Sequence, residues 1–290
     1  MLHKIPSTAL IFSLVLLLAA CGGDKKDDKE GKGDLNGGHS QAVEMPDTVF
    51  SEVNKDIFIT AAKAKPGMFE GAALMLEEPK DGAQLEAGQY TFNFSTKNFE
   101  FGQQTDDPLN DQLASSAKGQ HIHFILNNLP YTAHYEPAVQ KELPPGTHVV
   151  LAFLARSYHY SVKNPNSLVV RKITVGEPGE NDSLADFNSN DPHLFYSRPK
   201  GTYAGEGNIE KVLVDFWLMN ADLSPDGYKV RLTINGEHKF MLTHWQGYIM
   251  HGLPPGEHTI QLELLNKEGK LVESPFNPSV RKFTLKKDAA

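Results

Sequence analysis

The sequence predicts an all-β protein built from two copies of one module, because it contains an internal repeat and many short alternating segments. The hexapeptide at residues 143–148, Leu-Pro-Pro-Gly-Thr-His, returns 110 positions later at residues 253–258 as Leu-Pro-Pro-Gly-Glu-His. A second segment, residues 170–175, returns at the same spacing as residues 280–285. Such a repeat indicates a duplicated structural unit.

Each hexapeptide predicts a tight turn that leads into a strand. Proline fixes φ, and glycine adopts backbone conformations that other residues avoid. Residues 258–264 then alternate between polar and apolar, which is typical of a half-buried strand. Similar segments at residues 90–94, 212–216 and 228–234 are separated by Gly, Pro and Asn. This spacing predicts two tandem immunoglobulin-like β-sandwich domains that lack a cysteine pair.

The N-terminus has the pattern of a bacterial lipoprotein signal peptide over residues 1–20. Lys4 supplies a positive charge, and the apolar run at residues 9–18 is too short to span a bilayer. The Leu-Ala-Ala-Cys that ends at residue 21 resembles the lipobox, in which the cysteine is lipidated. Cys21 is the single cysteine of the chain, so we predict a lipid anchor there and no disulfide or thiol nucleophile.

Residues 21–46 predict a flexible tether, because they are rich in glycine and charge and have little to bury. The Lys-Asp-Asp at residues 26–28 resembles the export signal of Bacteroidota lipoproteins, which implies an outer-membrane location facing the cell surface. Residues 47–70 predict a short helical segment capped by Asp47, with apolar residues at helical spacing: Val49, Phe50, Val53 and Ile57. The first immunoglobulin-like domain (module one) follows at residues 71–175, then a polar linker at 176–192, and the second domain (module two) at 193–290.

Composition and motifs argue against two classes of function. The chain carries a formal net charge of −8 and has no basic stripe, which argues against a nucleic-acid partner. The sequence offers no nucleophile–base–acid set, no phosphate-binding glycine loop and no pair of carboxylates at a position that indicates catalysis. We therefore predict that the protein is not an enzyme.

Gly119, the His-rich segment at residues 120–127 and the Leu-Pro-Pro-Gly-x-His turn together resemble an uncharacterised bacterial immunoglobulin-like family. The core of that family runs from a glycine through a His-rich strand to the turn and an apolar strand. The resemblance covers about 60 residues of module one and extends more loosely to module two, where Lys229 and Arg231 replace the histidines. It implies the fold and an envelope location, and it implies no particular reaction.

Features shared by both copies are expected to serve the fold, whereas features of one copy are free to serve function. His148 and His258 are shared, and each begins the strand after the turn. We therefore predict that each bonds a backbone group near its turn.

His121 and His123 occur only in module one, and alignment with module two places them on the outward face of their strand. Because they are two residues apart, they share that face. They are either two exposed histidines or two ligands of a copper or zinc ion, which normally needs three or four ligands. His134 and His159 are candidates for an additional ligand.

The strand after the first turn is apolar on both faces. Its outward residues Val149, Leu151 and Phe153 stand where module two has Thr, Gln and Glu at positions 259, 261 and 263. A strand of this kind is normally covered on both sides. Three covers are open: the segment at residues 47–63, module two, or another protein. The three residues are therefore candidates for partner binding.

Two aromatic segments supply further candidates for partner binding. Tyr158, His159 and Tyr160 form a loop where module two has an ordinary polar turn. Aromatic loop residues favour contact with protein or glycan, because flat rings give a large contact area at little entropic cost. Trp245 is expected near the surface before the second turn, whereas Trp217 is expected in the core.

These patterns together predict a non-enzymatic lipoprotein of the outer membrane, anchored through Cys21. It would bind a protein or glycan partner, or serve as an accessory module of an outer-membrane complex, without a cofactor. The alternative is an envelope protein that handles copper or zinc through His121, His123 and a third histidine. The metal content of the purified chain separates the two hypotheses.

Overall fold

The computed structural model describes residues 46–180 and 182–288, and these residues form mainly β-strands. The predicted signal peptide, Cys21 and nearly all of the predicted tether lie outside the described residues. Among the described residues, no helix is long and apolar enough to span a bilayer. The strands are β1 (Thr48–Phe50), β2 (Phe58–Ala61), β3 (Ala73–Glu78), β4 (Gln84–Leu85), β5 (Gly88–Lys97), β6 (His121–Leu126), β7 (Thr132–His134), β8 (Ala138–Leu143), β9 (Gly146–Ala155), β10 (Leu168–Val175), β11 (His193–Arg198), β12 (Gly201–Ala204), β13 (Val212–Met219), β14 (Lys229–Ile234), β15 (His238–Leu242), β16 (Tyr248–His251), β17 (Gly256–Leu265) and β18 (Ser279–Lys286). Helical turns are short: Pro108–Asp111, Pro165–Ser167 and Glu206–Ile209.

The two modules share one arrangement of strands. Module one has a sheet of order β3-β5-β8 and a sheet of order β4-β10-β9-β6-β7. Module two repeats this arrangement with β11-β13-β16 and with β12-β18-β17-β14-β15. An apolar core fills each sandwich, around Phe92 and Phe124 in module one and around Phe216 and Leu262 in module two. The prediction of an all-β protein with two tandem immunoglobulin-like sandwiches is confirmed.

The prediction of a helical segment at residues 47–70 is wrong. Residues 48–50 and 58–61 form strands β1 and β2, and β2 pairs with β16, so the smaller sheet of module two grows to five strands. Ile57 and Ile59 consequently lie in the core of module two and not under module one. A few apolar residues at helical spacing do not distinguish a short helix from strands, and Phe58, Ile59 and Thr60 favour extended structure.

The shared histidines hold the repeated turn, as predicted. His148 donates from Nε2 to the carbonyl oxygen of Pro144 over 2.8 Å and accepts at Nδ1 from the side-chain amide of Asn127 over 3.0 Å. In module two, His258 makes the equivalent pair of bonds at the same two distances. Both ring nitrogens are thereby used within the turn, so His148 and His258 serve the fold.

Module two covers the outward apolar face of module one. Val149, Leu151 and Phe153 point away from the core of module one, as predicted, and pack with Ile125 into a separate apolar cluster. Phe195 and Trp217 of module two and Leu184 and Phe187 of the linker complete this cluster, which we call the inter-module cluster. The sequence left three possible covers for this face, and in the structure the cover is module two together with the linker. Val149, Leu151 and Phe153 are at most 1% exposed, so the prediction that they contact a partner is wrong.

Candidate metal centre

Strand β6 places two histidines on one face. Ile122 and Phe124 point into the core of module one, whereas His121 and His123 point to the opposite face, toward module two. The predicted orientation along the strand is therefore correct. Of the two alternatives left open for these histidines, that of two exposed residues is wrong, because both side chains are completely buried. The cause is the packing of module two over this sheet, in which His123 lies beside Phe153 of β9.

A tight turn after β9 brings a third histidine to the same place. The N–H of Arg156 donates to the carbonyl oxygen of Tyr160, and the N–H of His159 donates to the carbonyl oxygen of Arg156. His159 itself has a φ of 64°, in the left-handed region that is uncommon for a side chain of this size. The turn holds His159 against β6, because β6 pairs with β9 and His121 lies opposite Ala155.

The three imidazoles converge on one point, and we call His121, His123 and His159 the histidine triad. Nε2 of His121 lies 2.9 Å from Nδ1 of His159 and 3.0 Å from Nε2 of His123. Nε2 of His123 lies 3.2 Å from Nδ1 of His159. A tetrahedral zinc ion with Zn–N bonds of about 2.0–2.1 Å holds its nitrogen ligands about 3.3 Å apart. The triad is thus close to the spacing that one metal ion requires.

His134, the other candidate for an additional ligand, does not join the triad. It pairs with Ile122 across strands β6 and β7, so it lies on the opposite face of the sheet. Its Nε2 is 2.7 Å from the hydroxyl of Thr132. His134 is therefore a suitable control for experiments on the triad.

Hydrogen bonds behind the triad orient two of its rings. Nδ1 of His121 lies 2.8 Å from the carbonyl oxygen of Gly119. A carbonyl only accepts, so this nitrogen carries the proton and Nε2 of His121 presents a lone pair to the triad. Nδ1 of His123 lies 3.3 Å from the hydroxyl of Ser197 in module two. Bonds of this kind, to a carbonyl or hydroxyl behind the ring, accompany metal-binding histidines in many proteins.

Burial keeps the triad uncharged. It lowers the pKa of His121 to about 4 and holds the pKa values of His123 and His159 well below the ordinary value for histidine. The positive charge of Arg198 lowers all three pKa values further. The three imidazoles are therefore neutral at pH 7, which is the state in which imidazole binds a metal.

Two tyrosines form the walls of the site. The ring of Tyr131 stacks on His123 with centroids 3.6 Å apart and an angle of 11° between the planes. Its hydroxyl oxygen is 3.4 Å from Nδ1 of His159. The ring of Tyr135 packs against His121, with ring centroids 5.0 Å apart. Because His159 is only partly buried, the site reaches solvent at this residue.

The contributions of module two to the site, and the reason for one glycine, are not visible in the sequence. Ser197 lies 74 positions from the histidine that it contacts, and no pattern in the sequence connects them. Gly119 belongs to the motif that resembles the bacterial immunoglobulin-like family. Its φ is +78°, and a Cβ there would lie 2.5 Å from the carbonyl oxygen of Gly102. Glycine is therefore required where the chain turns to present its carbonyl oxygen to His121.

The aromatic loop predicted to contact a partner is folded into the protein. Tyr158 and Tyr160 are 1% and 5% exposed. The hydroxyl of Tyr158 donates to Oδ2 of Asp107 over 3.0 Å, and the hydroxyl of Tyr160 accepts the N–H of Gly247 over 2.9 Å. The loop is therefore a contact between modules, and its tyrosines are not free to bind a partner. Only His159 of this segment retains a role at the candidate site.

Trp245 is partly buried, whereas Trp217 is buried as predicted. The indole N–H of Trp245 donates to the carbonyl oxygen of Phe216 over 3.2 Å. Its ring packs edge-on against Trp217, with centroids 4.8 Å apart. Trp245 thus packs at the edge of the inter-module cluster and keeps part of its surface exposed.

Comparisons with known proteins find no matching family model and no matching curated protein. Among solved structures, the chain is similar to fibronectin(III)-like modules of Clostridium thermocellum CbhA, with 13% identity over 74% of this chain and 94% of that chain and a TM-score of 0.26. A second similar structure is SGBP-B of the Bacteroides ovatus mixed-linkage glucan utilization locus in complex with a mixed-linkage heptasaccharide. It has 10% identity over 73% of this chain and 70% of that chain, with a TM-score of 0.23. At these scores the similarities carry no argument about function, and the assignment of the fold rests on the order of strands in the two modules.

Proposed function

We propose that this chain is a metal-binding protein of the cell envelope, and that the histidine triad binds one divalent zinc or copper ion. The observation that carries the proposal is the convergence of three neutral imidazole nitrogens within 3.2 Å of one another. All three residues come from module one, while module two encloses the site. The proposed function is metal binding.

A metal explains this cluster better than hydrogen bonding among histidines does. Each neutral imidazole has one N–H, and His121 uses its own on the carbonyl oxygen of Gly119. Apolar side chains would fill a buried position between two sandwiches at a lower cost in desolvation. Module two, at the equivalents of His121 and His123, has Lys229 and Arg231 and no such cluster. The triad is therefore a feature of one copy, which favours a role beyond the fold.

The donor atoms favour particular metals. Imidazole nitrogen suits zinc, divalent copper, iron and nickel, whereas thiolate and thioether sulfur select monovalent copper. The triad contains imidazole alone, so we propose divalent zinc or copper. Three protein ligands would leave the fourth position of a tetrahedral ion open to water or to another ligand.

The metal site replaces the hypothesis of a protein or glycan partner as the leading one. The residues expected to contact such a partner on β9 and the tyrosines of the aromatic loop are buried between modules, and Trp245 is partly buried against the same cluster. Metal handling, the alternative drawn from the sequence, uses residues that the fold brings together. We further propose that the protein works at the outer membrane through an anchor at Cys21, which the lipobox-like sequence supports.

The direct test is to measure bound metal in the purified chain. After dialysis against zinc or copper, we expect one metal ion per chain. Replacing His159 by alanine removes a ligand and should weaken affinity by more than about 100-fold, since loss of a residue behind a ligand already costs 10–100-fold. His134→Ala is the matched control and should bind normally. Absence of stoichiometric metal in the unaltered chain, or equal affinity in His159→Ala, would contradict the proposal.

The anchor is tested separately. Replacing Cys21 by alanine should release the protein from membranes and remove it from the detergent phase, because no other residue at the lipobox-like junction carries a thiol. Membrane retention equal to that of the unaltered protein would rule out the anchor. Protease treatment of intact cells then tests display on the surface: protection before lysis and cleavage afterwards would place the protein inside the outer membrane.

A further inference from the structure

Two cations of module two lie beside the triad. Arg198 is 7% exposed, and its Nη1 donates to the hydroxyl of Tyr203 over 2.8 Å. Nζ of Lys200 donates to the carbonyl oxygen of Tyr131 over 2.6 Å. The guanidinium carbon of Arg198 and Nζ of Lys200 lie 5.5 Å and 4.5 Å from the centroid of the Tyr131 ring. That ring is stacked on His123 with its other face, so Tyr131 lies between the two cations and the triad, and their positive charge acts on the site across this ring.

Neither cation forms an ion pair with another of the described residues. No ion pair formed by the described residues includes Arg198 or Lys200. Nε of Arg198 is buried and has no hydrogen-bond partner. The charged groups that act on the triad are both basic: Arg198 and Lys200. A divalent ion held by three neutral histidines would therefore add positive charge to a site that already lies in the field of two cations.

We propose that the metal bound by the triad holds a small anion from solution in its fourth coordination position, and that Arg198 and Lys200 stabilise this anion. The inference rests on the proposed metal site and adds a ligand class to it. The ligand class is a small anion, for which azide and phosphate serve as probes.

Two physical reasons support an anion over a neutral ligand. Unbalanced charge inside a protein is costly unless it is paired, and an anion bound to the metal would offset the charge of the ion while lying in the field of the two cations. Three histidine ligands also leave an open coordination position that takes water or an exogenous ligand. The partial exposure of His159 gives such a ligand a path from solvent.

The experiment titrates the metal-loaded chain with azide and with phosphate. The chain is loaded with Co²⁺ or Cu²⁺, its metal content is measured, and visible absorption of the metal is followed as the anion is added. We expect a saturable spectral change at one anion per metal. Lys200→Met should bind the metal normally and lower the affinity for the anion by about tenfold, because one unit of positive charge is lost from a partly buried site. Lys239→Met, on β15 of module two, is the control for charge and should bind the anion normally.

The outcomes separate this inference from the proposed function. If metal binds and neither anion changes its spectrum, the inference is overturned while the metal site stands. If anions bind with equal affinity to Lys200→Met and the unaltered chain, the role of the cations is overturned. If no metal binds, both proposals fall together.

Discussion

Replacing Lys163 by methionine is expected to destabilise the chain by about 3–5 kcal/mol, the cost of leaving a buried charge without its partner. Nζ of Lys163 in module one lies 2.8 Å from Oδ1 of Asp215 in module two. The lysine side chain is 13% exposed and the aspartate is fully buried. Asp215 also accepts from the hydroxyl of Ser161 over 2.8 Å, so it is held in place and cannot move to water when Lys163 is lost.

The surroundings of Lys163 explain why the pair is tolerated. Its Nζ donates to the carbonyl oxygen of Phe216. It also lies within 5.7 Å of the centroids of four aromatic rings, which contribute cation–π attraction: Tyr160, Phe216, Trp217 and Trp245. This arrangement joins the modules through one cation that has many partners.

Denaturant unfolding of Lys163→Met measures the effect, with two controls. The double variant Lys163→Met/Asp215→Leu removes both charges and should recover much of the lost stability. Lys282→Met breaks the exposed pair with Glu257 and should cost about 0.5 kcal/mol or less. A loss below about 1 kcal/mol for Lys163→Met would show that the pair between modules is absent in solution.

Replacing Leu151 by glutamine is expected to cost about 3 kcal/mol or more. Leu151 is fully buried in the inter-module cluster. The substitution removes the burial of a leucine, worth roughly 1.5–3 kcal/mol, and places an amide without water in an apolar cluster. Because the cover belongs to the same chain, the loss should be measured as a lower free energy of unfolding of the isolated protein.

The repeat offers a matched control for Leu151→Gln. Gln261 is the equivalent residue of module two and is only partly buried, so Gln261→Leu should change stability by about 0.5 kcal/mol or less. If Leu151→Gln were as stable as the unaltered chain, the packing of the two modules would be wrong. The buried positions of His121 and His123 would be wrong with it.

The sequence determined the features that depend on local periodicity. Alternation within each strand placed Ile122 and Phe124 on one face and His121 and His123 on the other. Comparison of the two copies separated His148, which holds a turn, from His121 and His123, which are free for function. It also identified the apolar outward face of β9. Alternation and turn chemistry are set by neighbouring residues, so these features are legible in a single sequence.

The tertiary structure alone decided what lies against those faces. Segment 47–61 adds strands to module two, although its Ser51 and the His238 that it contacts are 187 positions apart in the sequence. Module two covers β9 and buries the histidines. Of two candidate histidines, the turn after β9 selected His159 and the sheet turned His134 away. The position of Arg198 and Lys200 beside the triad was likewise set by the packing of modules. Contacts between residues far apart in the sequence depend on how well whole surfaces fit together in three dimensions. A local sequence pattern therefore does not predict which two surfaces pack against each other.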